Sequence, residues 1–219
     1  MIFIKNAYVT DPAGGREEKA DILLKDGKIV KIGQIKEEEL AAEPASFRVI
    51  DAEGLVAAPG LVDVHSHFRD PGFTYKEDIE TGAKAAAKGG YTTVVLMANT
   101  KPCVDNEETL RYVIEKGKQT GIHVYTCATV TMDMQGKEIV PMEELAQKGA
   151  VGFTDDGVPI LSEEVVEEAM KRAAALGMPL SFHEENPAYI ENNGVNAGKA
   201  AAHYHIGGSK REAEIDLVG

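Results

Sequence analysis

Two histidines separated by one residue stand at the end of a short apolar stretch. His65-Ser66-His67 follows residues 61–64, a run that predicts a buried β-strand. Because side chains at i and i+2 of a strand point to the same side, we expect the two imidazoles side by side at the carboxyl end of the strand. Neutral imidazole is a common ligand of zinc and similar divalent ions. The spacing therefore predicts a metal site, with a structural pair of histidines as the alternative.

Arg69 lies two residues beyond this pair, and Asp70-Pro71-Gly72 predicts a sharp turn directly after it. A guanidinium is a fixed cationic fork that matches a carboxylate. The usual alternative for an arginine is a surface charge, but this one follows candidate metal ligands. A metal site, an anion site and a turn are thus predicted within residues 65–72.

Four more candidates follow apolar strand-like runs, namely Asn99, the adjacent Asp155 and Asp156, and His183. Neighbouring residues on a strand point in opposite directions, so only one of the two carboxylates is expected to face a metal. Each candidate has an ordinary alternative, which is a turn residue for Asn99, a loop start or helix cap for the aspartates, and a core histidine for His183. Glu184 and Glu185 are interpreted as a solvated loop start.

From Leu55 onward, short strands alternate with helices. The predicted strands are 61–64, 92–97, 122–129, 151–153 and 179–182, and the predicted helices are 76–88, 106–119, 142–148 and 162–176. Nearly continuous apolar strands predict a parallel sheet covered by helices. An open doubly wound sheet and a barrel both fit, and either binds ligands at the carboxyl ends of its strands. Candidates on many strands favour the barrel.

Residues 1–55 form a predicted β-rich domain, and residues 56–219 form the strand–helix domain. The first domain has predicted strands at 2–9, 22–32 and 47–51, with a hairpin turn at Asp26-Gly27 and a helix at 36–43. Near the other end, residues 187–191 predict a short helix. Residues 193–210 predict a long loop, in which His203 and His205 have ligand-like spacing but no assigned metal role.

The composition is that of a globular protein, with 43% hydrophobic and 27% charged residues in 219. A net charge of −13 argues against a nucleic-acid or anionic-membrane surface. The sequence contains no apolar run near the roughly 20 residues that span a bilayer. We expect no secretory signal at the start, and the two cysteines, Cys103 and Cys127, predict reduced thiols and a cytoplasmic location.

The stretch 65–72, with Lys76-Glu77-Asp78-Ile79 after it, resembles the dihydroorotases of the amidohydrolase superfamily. Residues 97–102 are similar to the family's Met-Pro-Asn-Thr-x-Pro, with Ala98 in place of proline. Residues 153–157 and 182–185 are similar to its fourth-strand and fifth-strand motifs. The Phe-Arg-Asp-Pro-Gly extension is specific to this family, whereas a bare His-x-His occurs throughout the superfamily.

The resemblance implies a (β/α)8 (TIM) barrel of the metal-dependent hydrolase type, with about five βα units in this chain, beside the small N-terminal β-rich domain. It implies two Zn²⁺ ions with His65 and His67 on the more buried ion, Asp156 bridging both and His183 on the second. His67, Arg69 and Asn99 are the implied substrate contacts. The implied general base is an aspartate beyond Gly219, so no catalytic residue is assigned in this chain.

The implied activity is the reversible interconversion of N-carbamoyl-L-aspartate and (S)-dihydroorotate in pyrimidine biosynthesis, in which a hydroxide shared by two metals attacks the ring amide. The partner is a small molecule, and a homodimer is left open. The alternatives are a dihydropyrimidinase, hydantoinase or allantoinase, and a non-catalytic scaffold. Because only five strands are predicted, we expect the amino-terminal half of an enzyme, inactive by itself.

Overall fold

The computed structural model describes residues 1–41 and 48–218. The chain divides into two compact units, residues 1–60 and residues 61–219. The first unit extends past residue 55 because Val56 and Ala57 pair in parallel with Tyr8 and Val9. Each unit is described by itself below.

The first unit is a mixed sheet. Its elements are β1 (Ile2–Asp11), β2 (Arg16–Lys25), β3 (Lys28–Gly33), α1 (Glu37–Ala41), β4 (Arg48–Asp51) and β5 (Val56–Ala57). The strand order is β3-β2-β1-β4, and β5 also pairs with β1. The predicted hairpin joins β2 to β3, with positive φ at both Asp26 and Gly27 as a type I′ turn requires. The ends of the predicted helix and fourth strand, at 42–43 and 47, lie outside the described residues.

The second unit alternates strands with helices, as the sequence predicts. Its main elements are β6 (Leu61–Ser66), α2 (Ile79–Lys88), β7 (Tyr91–Leu96), α3 (Glu107–Gly117), β8 (His123–Thr126), α4 (Met142–Gln147), β9 (Phe153–Thr154), α5 (Glu163–Leu176) and β10 (Leu180–Ser181). A short 3-10 turn at Pro187–Tyr189, α6 (Lys199–His203) and α7 (Glu212–Val218) follow.

The strands of this unit pair in parallel and in chain order. β6 pairs with β7, β7 with β8, and β9 with β10. A parallel bridge between Ala128 and Phe153 links the end of β8 to β9, with the Thr154 amide donating to the Ala128 carbonyl at 2.9 Å. A doubly wound sheet would reverse its strand order at a switch point, and no reversal occurs in residues 61–181.

Side-chain caps and small residues fix where the helices begin and end. Ser162 accepts a hydrogen bond from the Val165 amide and begins α5, and Gly177 ends it with a φ of 65°. Asp78 and Thr81 form a reciprocal capping box at the start of α2. The helices cover a core whose buried side chains include Ile79, Leu110 and Phe153. None of the helices in the described part of the chain is long and apolar enough to cross a membrane.

Two sequence predictions about this unit are wrong. The run at 61–64 is not buried, since Val62 and Val64 are 58% and 69% exposed. The reason is that β6 is an edge strand, which pairs only with β7 within residues 1–41 and 48–218. The predicted loop at 193–210 contains α6, because three consecutive alanines after Lys199 favour a helix and Ala201 finds a buried position.

Gly82 is the one position of α2 where a small residue is required by a neighbouring ring. A Cβ at this position would lie 2.6 Å from Cδ1 of the buried Phe68 ring. Gly82→Ala gains about 1 kcal/mol of helix propensity, but overpacking costs about 1–3 kcal/mol. Because three ring atoms would be closer than 3.0 Å, we expect the cost to lie at the upper end of that range, about 3 kcal/mol. The net loss in unfolding free energy is then about 2 kcal/mol, measured by urea denaturation. Gly121→Ala, with open space around its Cβ, is the control; an equal loss there would contradict the explanation.

Candidate metal centre

The two histidines of the motif lie at the carboxyl end of β6. His65 is inside the strand and His67 follows its last residue, Ser66. Their ring centroids are 5.2 Å apart in an edge-on arrangement. The imidazole side chains are 45% and 26% exposed, so both can still reach a ligand from solvent.

Asp156 follows β9 and is the carboxylate that both rings approach. Its Oδ1 is 3.4 Å from Nε2 of His65, and its Oδ2 is 3.3 Å from Nε2 of His67. The aspartate side chain is only 11% exposed. The ligand atoms of these residues all lie within 4.8 Å of one another, which makes them a group able to hold a metal ion.

His183 reaches the same carboxylate from the end of β10. Its Nδ1 is 3.5 Å from Oδ1 of Asp156, and its Nε2 is 3.0 Å from Oε2 of Glu185. The structure therefore brings all the sequence-predicted metal ligands around Asp156. The Glu185 side chain is 37% exposed, so it stays partly solvated as predicted, but its contact with His183 was not predicted. Its i+2 spacing from His183 was the available signal, since a carboxylate often orients a ligating imidazole.

Asn99 follows β7 and connects two of the candidate ligands. Its Oδ1 lies 3.0 Å from Nδ1 of His67. Its Nδ2 donates to the carbonyl oxygen and to Oδ2 of Asp156, each at 3.1 Å. Both ends of the amide are thus engaged, which sets the tilt of the His67 ring relative to the carboxylate. Sequence reasoning placed Asn99 near the site but did not predict this orienting role.

Asp155 points away from the ligands, as strand alternation predicts. Its side chain accepts hydrogen bonds from the amides of Val130, at 2.8 Å, and Thr131, at 3.1 Å, and from the Thr131 hydroxyl. Burial raises the pKa of this carboxyl above its ordinary value, while the hydrogen bonds oppose the shift. Asp155 therefore anchors the loop after β8 to the end of β9.

The Arg69 guanidinium is not joined to the candidate ligands by any hydrogen bond or ion pair among residues 1–41 and 48–218. The residue is half-buried and has a φ of 57°, in the left-handed region. His65, Asp156 and His183 line a cavity of about 650 Å³, whose wall also contains Lys210 and Arg211. This cavity is large enough for a small-molecule ligand.

His203 and His205 do not belong to this group. The His203 ring packs edge-on against Tyr204 at 4.8 Å, and both histidines are exposed. A second cluster of possible ligands consists of Cys103, Asp105 and Asp133. In this cluster, burial and the Asp105 carboxylate raise the pKa of Cys103 to about 12, so the thiol stays protonated near neutral pH.

Comparison with known sequences gives one matching family model and several similar dihydroorotases. A family model described as dihydro-orotase-like matches residues 54–216. The whole chain aligns with dihydroorotases of Clostridioides difficile (strain 630) at 53% identity and of Clostridium acetobutylicum at 52% identity, covering 51% and 50% of those proteins. A dihydroorotase of Streptococcus pneumoniae serotype 4 is 48% identical, with 50% covered. The chain thus spans about half the length of the curated relatives it matches.

Solved structures with a similar fold include two hydantoinases. The L-hydantoinase (dihydropyrimidinase) from Arthrobacter aurescens superposes with a TM-score of 0.71 at 24% identity, covering 87% of this chain and 42% of that one. The D-hydantoinase (dihydropyrimidinase) from a Thermus species gives 0.67 at 25% identity, covering 86% and 41%. The α/β arrangement of the second unit is thus part of a known larger fold.

Asn99 provides a test of how the site is oriented. Asn99→Ala removes the hydrogen bonds to His67 and Asp156, so we expect divalent-metal affinity to fall roughly 10- to 100-fold. The measurement is competition for Zn²⁺ against a chromogenic chelator. Asn193→Ala is the matched control, because Asn193 lines the same cavity without bonding a candidate ligand. Equal affinities for the parent protein and Asn99→Ala would contradict the assignment.

The cysteines provide a test that does not depend on the metal. Burial raises the pKa of Cys127 to about 11, and Cys103 is near 12. Since the thiolate is the reactive form, both should react with a disulfide reagent at pH 8 at least about 100-fold more slowly than a thiol of pKa ~8.5. The rate at Cys103, measured in Cys127→Ala, should still rise between pH 9 and 11. A plateau below pH 9 would show an ordinary thiol.

Proposed function

The chain belongs to the dihydro-orotase-like family, and from that premise we propose that the protein containing it is a zinc-dependent dihydroorotase. The reaction is the reversible interconversion of N-carbamoyl-L-aspartate and (S)-dihydroorotate. The observation that carries the proposal is the convergence of His65, His67 and His183 on the Asp156 carboxylate at 3.3–3.5 Å. The 53% identity to a dihydroorotase over the whole chain supports the same activity.

The side chains fit the metal. Imidazole nitrogens and a carboxylate oxygen are the ligand types that Zn²⁺ takes at catalytic sites. In the proposal, His65, His67, Asp156 and His183 are the residues that would hold the metal. When bound, the metal lowers the pKa of water and supplies Lewis acidity toward an amide carbonyl.

The other side chains orient the ligands and the substrate. Asn99 holds the His67 ring and the Asp156 carboxylate in a fixed relation. Arg69 binds the substrate carboxylate as a two-pronged donor, which places the ring amide next to the metal ligands. His67 and Asn99 are the other proposed substrate contacts. The proposal assigns proton transfer to the leaving nitrogen to a carboxylate outside residues 1–219.

The fold part of the proposal extends the observed sheet. We infer that residues 61–219 are the amino-terminal part of a (β/α)8 barrel and that residues 1–60, which include β5 paired with β1, are a separate β-rich domain. Parallel pairing in chain order from β6 to β10 supports the barrel, because a (β/α)8 barrel is built from parallel strands that neighbour one another in chain order. Cys103 and Cys127 form no disulfide in the described part of the chain, and the proposal places the protein in the cytoplasm.

A hydantoinase-type activity is the second candidate, favoured by the similarity in fold. The two candidates differ in the substrate, because dihydroorotate carries a carboxylate that dihydrouracil lacks. Arg69 favours the carboxylated ring. A non-catalytic scaffold would not need the converging ligands around Asp156.

The deciding experiment compares substrates for the longest reading frame that contains residues 1–219. With Zn²⁺ present, we expect hydrolysis of dihydroorotate and at least about 100-fold slower hydrolysis of dihydrouracil and allantoin, since both lack the carboxylate that Arg69 binds. Removing the metal with a chelator should abolish the rate, and added Zn²⁺ should restore it. Hydrolysis of dihydrouracil but not dihydroorotate would replace the proposal with the second candidate.

A variant pair tests the metal ligands in the same protein. Asp156→Asn removes the charge to which all three imidazoles are closest, so kcat should fall by more than the roughly 100-fold typical of losing a supporting residue. Glu167→Gln, an equal charge removal on the exposed face of α5, should leave kcat unchanged. Full activity of Asp156→Asn would remove this residue from the site.

A further inference from the structure

Asp70 is a buried carboxylate that the proposed chemistry does not use. Its side chain is 0% exposed, although it lies in the loop after β6. Lys116 donates from Nζ to Oδ2 at 2.7 Å, and the Tyr112 hydroxyl donates to Oδ1 at 2.9 Å. The Ile79 amide, at the start of α2, is 3.4 Å from Oδ2. One loop carboxylate is therefore held by two helices.

These contacts hold the Asp70 carboxylate in one position, in addition to providing its hydrogen-bond partners. A carboxylate removed from water is strongly unfavourable unless it is paired and hydrogen-bonded, so the loop cannot move the carboxylate away from α3 without a large penalty. Lys116 also lies over the Tyr112 ring, 5.2 Å from its centroid, so the two donors support each other. The hydrogen bond that Lys116 donates to Asp70 raises the pKa of Lys116, which keeps the ammonium charged.

The residues on either side of Arg69 are both anchored. Before it, the Phe68 ring is buried against Gly82 of α2. After it, Asp70 is held by α3. Further along, the Lys101 amide donates to the Pro71 carbonyl at 3.1 Å, and a Cβ on Gly72 would lie 2.1 Å from the Lys101 carbonyl oxygen. The loop is thus pinned on both sides of Arg69.

Arg69 itself has the features of a residue held by its surroundings. Its φ of 57° lies in a region that side chains other than glycine adopt only when the structure imposes it. Its carbonyl accepts a hydrogen bond from the Phe73 amide at 2.9 Å, which closes the turn. Within the described residues its guanidinium has no protein partner, so its donors remain for a ligand.

We propose that Asp70, braced by Lys116 and Tyr112, is a positioning residue that holds Arg69 in the conformation in which its guanidinium meets the substrate carboxylate. This inference rests on the proposed function and deepens it. It makes selectivity for a carboxylated cyclic amide depend on two residues of α3 that contact neither the substrate nor the metal.

The test uses the zinc-loaded product of the reading frame that contains residues 1–219, with Lys116→Met against the matched control Lys84→Met. Lys84 pairs with Glu80 in an exposed i,i+4 pair. We expect Lys116→Met to raise KM for dihydroorotate about 10-fold with kcat changed less than about 3-fold, because Arg69 is misplaced while the metal ligands are intact. Lys84→Met should change neither.

A binding measurement separates positioning from general loss of structure. N-carbamoyl-L-aspartate and N-carbamoyl-β-alanine differ by the carboxylate assigned to Arg69, and calorimetry gives the affinity for each. Lys116→Met should lower the preference for the first by about 10-fold, and Lys116→Arg should restore it. The double variant Arg69→Ala, Lys116→Met should have the same preference as Arg69→Ala alone, because both changes remove the same interaction with the carboxylate. Additive effects, or an unchanged preference with lower thermal stability, would overturn the inference.

Tyr112→Phe is the second variant, for the case in which Lys116→Met does not fold. It removes only the hydroxyl that donates to Asp70, so it should lower the preference for N-carbamoyl-L-aspartate about 3-fold. The controls also distinguish the two proposals. A parent protein with no preference for the carboxylated ligand overturns the proposed function and this inference together. A parent preference that Lys116→Met or Tyr112→Phe fully retains overturns this inference alone.

Discussion

Parallel pairing in chain order is the constraint on which the candidate site depends. Because the strands of the second unit run in the same direction, their carboxyl ends meet at one edge. His67, Asp156 and His183 each come within two residues of a strand end, so the register of the sheet places them together. A shift of one residue in β9 would exchange Asp156 for Asp155 and leave the imidazoles without their carboxylate.

The two adjacent aspartates show how a single strand end serves both packing and chemistry. Asp155 turns into the protein and is satisfied by the amides and hydroxyl of Val130 and Thr131. Asp156 turns toward the cavity and meets the histidines. The buried member fixes the backbone from which the other projects. The geometry of the site thus depends on the hydrogen-bonded carboxylate of Asp155, which does not face the site.

Asp70 follows the same principle in a different loop. It is a second buried carboxylate in a loop at the carboxyl end of the strands, and it accepts hydrogen bonds from two side chains of α3 and from the Ile79 amide at the start of α2. In both cases the loop cannot relax without exposing or orphaning a charge. Loops that carry ligating or anion-binding side chains are therefore held in place by a neighbouring buried carboxylate. The Arg69 guanidinium, on such a loop, keeps its donors unpaired within the described residues.

The sequence by itself determined the local features of this protein. Strand–helix alternation and the hairpin at Asp26-Gly27 act between close neighbours in the chain, and both agree with the structure. The spacing of His65 and His67 is also local, and it predicts a metal site from two residues of one strand end. These features depend on turn residues and on the periodicity of apolar residues, and both can be recognised within a short stretch of sequence.

Only the tertiary structure decided which distant groups meet. Asn99 bridges His67 and Asp156, which are 32 and 57 residues away from it, and Lys116 holds Asp70 across 46 residues. It also decided that the apolar run of β6 lies at an exposed edge and that α6 forms where a loop was predicted. Such outcomes depend on strand register and on which side chains share a buried space. A local sequence pattern predicts neither the strand register nor the shared buried space, because each is set by the simultaneous packing of all the elements.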